Sequence, residues 1–280
     1  MKIPIIILNY NSEEDCRKCV SFLKKQQGVE TEIILVDNCS RAENLETLRT
    51  LAAEQQCTLL ENKENLGYNA GNNIGLRYAS EKGYKYALIS NPDMEFPQED
   101  YVASVVNKME ENEEIVVCGS DIIDVDDHHQ NPMFKDKFFH DVNSIIKVLF
   151  KRKGSDTDGN VDNYKDNHYC AKVSGCCFLL RMDFVKEIGF FDDNVFLYCE
   201  EAILSRQVEI AGKKMYYIAD SQAVHAHISS TKGNPVKRFE NWESARMYFI
   251  DRYSGYNVIK KMTAKFLVRL YVLAYKLYKK

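Results

Sequence analysis

Four short and mainly apolar runs, Ile3–Leu8, Glu32–Val36, Thr58–Leu60 and Ala87–Ile89, are separated by stretches of helical length. Short apolar runs that stop at polar or turn-forming residues read as strands buried on both faces. Strands alternating with helices predict an α/β domain built on a parallel sheet. Ligands of such a sheet sit beyond the carboxyl ends of its strands. The residues at the ends of the second and fourth runs are therefore the first site candidates: Asp37, and Asn91, Asp93 and Glu95.

The first helix opens at Ser12-Glu13-Glu14-Asp15, which resembles a capping box, and is expected to reach about Gln27. A second covers Ala42 to about Gln56, and a third runs from a glycine- and asparagine-rich stretch to about Lys82. Tyr86 to Phe96, YALISNPDMEF, ends its apolar run abruptly in polar residues and a proline. A carboxylate at Asp93 can hold a hard divalent cation such as Mg²⁺, which commonly bridges protein to substrate phosphate. A Pro-Asp turn that only closes a strand accounts for the same residues. Gly67, Gly71 and Gly75 permit close backbone approach, either to phosphate at a helix N-terminus or between helix and sheet. Their spacing lacks G-x-G and G-K-[ST], so neither a dinucleotide fingerprint nor a P-loop is supported.

At 280 residues the chain suffices for one large domain or two small ones. A net charge of −4 leaves no overall footprint for nucleic acid, and none is expected as a partner. Nine cysteines without the paired spacings of a zinc ribbon or disulfide scaffold are expected to be reduced, cytosolic thiols. Cys16 and Cys19 form a C-x-x-C inside a predicted helix, where packing explains them. MKIPIIILNYN holds too short an apolar run for a signal sequence, and no stretch approaches the ~20 apolar residues of a membrane span.

From Asp121 to Tyr169 the chain is polar and irregular, interrupted by the apolar patch Val142–Phe150 and including the loop-like GSDTDGNVDNYKDN. Its length predicts a functional insertion. Lys172–Arg181 returns to strand and Met182–Ile188 to a short helix. GFFDDNVFLYCEEAILSRQVEIAG then sets aromatic residues before Glu200-Glu201, which open a helix ending near Gly212. Acids at a helix start are ordinarily explained by the helix dipole.

A strand to VDN, an N-x-G loop, a strand to SNPD and the G-F-F-D-x-x-F-x-Y-x-E-E block, taken in order, resemble the family 2 inverting glycosyltransferases. The rhamnosyltransferase-like branch is the nearest match. The resemblance covers roughly Ile3 to Ser230, and the ordered combination is specific although each motif alone is weak. It implies an A-type glycosyltransferase fold. Residues 1 to about 120 would form a Rossmann-like nucleotide-sugar-binding half, and about 121 to 255 a mixed-sheet acceptor and catalytic half. It also implies a nucleotide-diphosphate sugar donor, dTDP- or UDP-linked, and a divalent metal, Mg²⁺ or Mn²⁺.

Position by position, the resemblance implies that Asn9, Tyr10 and Asp37 line the nucleotide pocket, with Asn65, Asn72 and Asn73 on its glycine-rich flank. Asn91 and Asp93 take the first and last places of the family's D-x-D. Asp93 is then the metal ligand and Asn91 a hydrogen-bond partner of ribose or phosphate, while His225 completes the metal site. Glu201 occupies the place of the general base, and Glu200 precedes it and orients the site. There are two departures. The family's acidic pair is usually Glu-Asp with another Asp two residues on, where this chain has Glu200-Glu201 and then Ile203. Asn72 stands where many relatives carry an arginine for the diphosphate, which shifts charge neutralisation to the metal and to Lys232 or Arg238.

The implied chemistry uses these parts. A leaving nucleoside diphosphate gathers negative charge that a divalent ion stabilises, and the attacking hydroxyl needs a base. One in-line attack inverts the anomeric centre. The implied acceptor is a saccharide or lipid-linked saccharide of cell-surface polysaccharide, and rhamnose is the sugar suggested by the branch. A nucleotidyltransferase is the alternative enzyme, although its usual glycine- and lysine-rich N-terminal loop is absent. A catalytically idle nucleotide-sugar-binding subunit is the non-enzyme alternative, motivated by the departures.

Residues 256–280 form a basic tail without acids, with Ile259, Met262, Phe266, Leu270, Leu273 and Leu277 at helical spacing. Such a helix can lie on an anionic membrane, which would make a cytoplasmic protein peripheral at the inner leaflet. Packing on the domain, or in a homodimer interface, explains it equally, since Val268 and Val272 blur the polar face.

Overall fold

The structure, a computed structural model, describes residues 1–136, 138, 161–226 and 235–278. Its first half comprises β1 (Lys2–Asn9), α1 (Glu13–Leu23), β2 (Glu30–Asp37), α2 (Ala42–Glu54), β3 (Thr58–Glu61), α3 (Tyr68–Glu81), β4 (Tyr86–Ser90), β5 (Met94–Glu95) and α4 (Tyr101–Glu111). Then follow β6 (Ile115–Asp124), β7 (His168–Cys170), β8 (Cys177–Arg181), α5 (Met182–Glu187), α6 (Glu200–Ile210), β9 (Lys214–His225), α7 (Pro235–Arg252) and α8 (Val258–Tyr278). The Val142–Phe150 patch, the start of the GSDTDGNVDNYKDN loop and Lys232 lie outside the described residues.

One sheet runs through both halves in the order β3-β2-β1-β4-β8-β6-β9-β5, with β7 also paired to β9. The four strands read from the apolar runs are parallel. Beyond them β8 runs antiparallel between β4 and β6, and β9 returns parallel to β6. The sheet is therefore Rossmann-like at one side and mixed at the other, the α/β architecture implied by the resemblance.

Period-two alternation explains why helices cover both faces. Ile3, Ile5 and Ile7 of β1 join the core cluster that includes Cys16, Cys19 and Val20 of α1 and Leu48 of α2. Ile6 joins the opposite cluster with Leu76 of α3, Phe184 of α5 and Leu204 of α6. Gly71 and Gly75 act in packing: a Cβ on either would come within 2.6 Å of Leu8 or 2.5 Å of Ile6 on β1. Their absent side chains let α3 lie directly on the sheet.

Three local expectations are corrected. The capping box does not form, because the buried Asn9 amide oxygen accepts the Ser12 N–H at 3.1 Å and the Ser12 side chain caps nothing. Helix α1 stops at Leu23 rather than Gln27, since Gln26 and Gln27 instead bond Gln98 and Glu99 ahead of α4. Strand β8 begins at Cys177 rather than Lys172, and the reason lies in the contacts of residues 174–176 described next.

Candidate active site

Asn9 and Asp37 end adjacent parallel strands in register. The Asn9 Nδ2 donates to Asp37 Oδ1 at 3.0 Å, and Asp37 Oδ2 accepts the Ser40 N–H at 2.9 Å. Both side chains are fully buried, so in this state they build the turn after β2. Tyr10, by contrast, is half exposed at the mouth of that turn. Asn65 Oδ1 accepts from Asn38 Nδ2 and from the Gly67 N–H. Asn38, not predicted, is the centre of this loop: its amide also bonds Asn62, the Leu66 N–H and the Gly67 carbonyl.

Gly67 has φ of +83°, and a Cβ there would fall 2.1 Å from the Phe196 carbonyl oxygen. Helix α3 starts just beyond it and bonds the second half of the chain through three polar side chains, Tyr68, Asn69 and Asn73. Asn73 clamps the main chain of Phe191 with both ends of its amide, each at 2.9 Å. Asn69 donates to the Asp192 carbonyl. Asn72 is buried, donates only to Tyr68 O within the helix, and leaves its Oδ1 without a hydrogen-bond partner. Tyr68 donates its hydroxyl to the Gly175 carbonyl. Asn69 and Tyr68 were missed in the sequence, although Asn69 and Asn73 lie one turn apart on the same helix face, which is a legible signal.

The turn at 174–176 is where the halves meet. Its Cys176 carbonyl accepts the Asn91 N–H at 2.7 Å, holding the end of β4. Its Gly175 N–H donates to Glu201 Oε1 at 3.3 Å, holding the start of α6. A Cβ at Gly175 would lie 3.2 Å from that same carboxylate oxygen. Burial, joined by the charges of Cys177, Asp93 and Glu201, raises the Cys176 thiol. Residues 174–176 lie within the largely apolar run Lys172–Arg181, which is why the sequence alone reads them as strand.

Glu200 and Glu201 sit in the first turn of α6, behind two consecutive non-glycine residues of positive φ, Tyr198 at 78° and Cys199 at 65°. Such backbone costs energy and is held here by the Glu200 carboxylate, which accepts the Tyr198 N–H at 2.6 Å. Burial first, and the adjacent Glu201 charge second, push Glu200 up to about 7. The two acids line one small cleft with Tyr68, Asn69, Gly175 and Phe191. Ile203 points elsewhere, buried in a cluster with Val195, Ala202, Ala245 and Phe249, so an acid is replaced here by core. Asp192 of the G-F-F-D run accepts hydrogen bonds from Tyr248 and Tyr253, fixing α7 to this loop.

Asp93 and His225 come together at the far end of β9. Antiparallel pairing of Met94 with His225 and a bond from the Ala226 N–H to the Asp93 carbonyl set them side by side. Asp93 Oδ1 lies 3.3 Å from His225 Nε2, with both side chains partly buried. His225 Nδ1 lies 2.9 Å from Gln130 Oε1, which can orient the ring. A carboxylate oxygen and an imidazole nitrogen converging on one point form a donor set that fits a divalent ion, Mn²⁺ better than Mg²⁺ on ligand type. Asp124, Asp126 and His128 form a second group, with ligand atoms within 4.8 Å of one another. Asp124 already accepts the Asp126 and His128 N–H groups there, so that turn organises itself without an ion. It is nonetheless close by, since Asp124 pairs with His225 in register.

The model of the family described as "Glycosyl transferase family 2" matches residues 5–189. The chain is 27% identical over 203 residues to the low-salt glycan biosynthesis hexosyltransferase Agl10 of Haloferax volcanii, covering 71% of this chain and 59% of that protein. It is 27% identical over 170 residues to the rhamnosyltransferase WbbL of Escherichia coli K12, covering 57% of this chain and 60% of that one. It thus spans less than two thirds of the length of either relative. Among solved structures, S. aureus TarS 1–349 in complex with UDP-GlcNAc superposes with a TM-score of 0.60 at 15% identity, over 95% of this chain and 70% of that one. GalNAc-T7 with UDP, GalNAc and Mn²⁺ superposes with a TM-score of 0.63 at 14% identity, over 96% and 55%. At these identities the structures speak for the fold alone.

Proposed function

The chain belongs to glycosyl transferase family 2, and on that premise we propose that it is an inverting glycosyltransferase. It moves a sugar from a dTDP- or UDP-linked donor to a saccharide or lipid-linked acceptor, in the assembly of cell-surface polysaccharide. Rhamnose is the sugar to test first, because one relative is described as a rhamnosyltransferase. The observation that carries the reading is the turn at 174–176, against which Asn91 and Glu201 both bond. It joins the end of a parallel strand, where ligands of such sheets bind, to a half-buried pair of acids.

In this reading Tyr10 offers its exposed ring to the base, while Asn9 and Asp37 hold the turn beneath it. Asn65 and Asn72 flank the diphosphate, Asn91 bonds ribose or phosphate, and Asn73 keeps the Phe191 loop in place. Asp93 and His225 hold Mg²⁺ or Mn²⁺, which when bound supplies Lewis-acid stabilisation of the leaving diphosphate. Glu201 accepts the proton of the acceptor hydroxyl as that oxygen forms its bond to the anomeric carbon. Glu200, raised to about 7 by burial and by the Glu201 charge, holds the first turn of α6 through Tyr198.

The test is release of nucleoside diphosphate from a panel of nucleotide sugars, with and without saccharide acceptors. Donor-dependent release is expected. Pyrophosphate formed from a nucleoside triphosphate and a sugar phosphate would instead identify a nucleotidyltransferase. Thermal stabilisation by a donor without any turnover would identify a binding subunit.

A further inference from the structure

Helix α8 has two apolar faces, and the fold uses one. Ala264 and Val268 are almost fully buried against Ile250 of α7, and Val272 is buried with them. Above them Phe239 stacks on Tyr275 at a 4.0 Å centroid separation, and Trp242 meets Tyr271 edge-on at 5.5 Å. The valines that blur the polar face in the sequence are thus the ones that pack. On the side turned away, Ile259, Met262, Phe266, Leu270 and Leu273 are between 37% and 76% exposed. Steps of three and four residues put these five side chains in one line, ~20 Å long at 1.5 Å per residue.

Charge decides what can cover that line. Residues 256–280 carry seven Lys and Arg and no acid, within a chain of net charge −4. Among the described residues the acids of α7 pair with two of them, Asp251 with Lys265 and Glu240 with Lys276 at 3.3 Å. Lys260 and Arg269 stay exposed on either flank of the apolar line. A second copy docking through the same face would bring these cations against their own kind. An anionic lipid surface meets both features at once, taking apolar side chains below its headgroups and cations beside them. The helix is not apolar enough to cross a bilayer, so it would lie in the surface.

We propose that α8 docks on an anionic phospholipid bilayer through Ile259, Met262, Phe266, Leu270 and Leu273, with Lys260 and Arg269 against the headgroups. The hairpin of α7 and α8 is fixed to the loop before α6 through Tyr248 and Tyr253 on Asp192, and to α6 through Ala245 and Phe249 on Ile203. Docking would therefore hold the start of α6 beside the bilayer. That consequence, though not the docking itself, rests on the glycosyltransferase reading, for which it selects a lipid-linked acceptor.

The experiment is co-sedimentation of the whole chain with phosphatidylcholine vesicles, with and without phosphatidylglycerol, and no donor or acceptor present. Binding to the anionic vesicles alone is expected, weakening as salt screens the charges. The triple variant Ile259→Ser, Met262→Ser, Phe266→Ser should lose at least about tenfold in vesicle affinity. The variant Lys260→Glu, Arg269→Glu keeps the apolar line and should lose binding to the anionic vesicles as well. Equal binding to neutral and anionic vesicles, or full binding by both variants, would overturn the proposal. So would a wild-type dimer that ignores vesicles and becomes monomeric in the triple variant, which would assign the face to a second copy. Because no sugar transfer is read, failure of the catalytic reading leaves this result intact.

Discussion

Gly175 donates its main-chain N–H to Glu201 Oε1 at 3.3 Å, and the next residue accepts the N–H of Asn91. One turn therefore ties the end of β4 to a carboxylate at the start of α6.

Glu201→Gln keeps the shape of the side chain and removes the proton acceptor. Turnover should fall by ~10²- to 10⁴-fold, with donor affinity little changed. A helix-dipole role alone predicts a different outcome, a loss of roughly 0.3–1 kcal/mol of stability with normal turnover. Turnover and melting temperature measured on the same variant separate the two. Should Glu201→Gln be active and Glu200→Gln dead, the base is the other member of the pair.

The pH dependence of stability reports on Glu200. Its folded pKa of about 7 lies above its usual 4.5, so the folded protein holds the proton more tightly than the unfolded chain. Stability from this group is full below about pH 4.5 and is lost as pH rises through about 7. Glu200→Gln should flatten that window, a difference of roughly 3 kcal/mol between its ends. Urea unfolding of both proteins across the window is the measurement, and parallel profiles would refute the assignment.

Asp93→Ala should abolish Mn²⁺ binding measured by titration with nucleoside diphosphate present, and His225→Ala should weaken it. Asp126→Ala is the control, because it removes a donor from the neighbouring group at the turn after β6. If Asp126→Ala removes the ion and Asp93→Ala does not, the metal belongs to that turn.

Asn73→Ala should act on stability and leave donor affinity per folded molecule unchanged. It strands a buried N–H and C=O of Phe191 and should cost roughly 2–4 kcal/mol. A fall in donor affinity at unaltered stability would return Asn73 to the lining of the pocket.

The chain's own pattern determines the parallel half of the sheet, because Ile3–Leu8 or Ala87–Ile89 has no use for so many apolar side chains except burial on both faces. It also marks the strand-end positions Asn9, Asp37, Asn91 and Asp93, since a polar residue directly after a buried strand must lie at the sheet's edge. It places Glu200 and Glu201 at a helix start, where acids are favoured whatever they do.

Tertiary structure decided the rest. Residues 174–176 read as strand because Lys172–Arg181 is largely apolar, and only bonds to Asn91 and Glu201 pull them out of the sheet. Helix α1 ends early for a similar reason, as the chain ahead of α4 supplies partners to Gln26 and Gln27 that no local rule contains. Whether Asn73 faces a ligand or a loop depends on where Phe191 arrives, and Phe191 comes from the other half of the sheet. The tail shows the same division. Periodicity supplies two apolar faces to α8, and only the presence of Ile250 on a neighbouring helix determines that Val268 is buried while Phe266 is not.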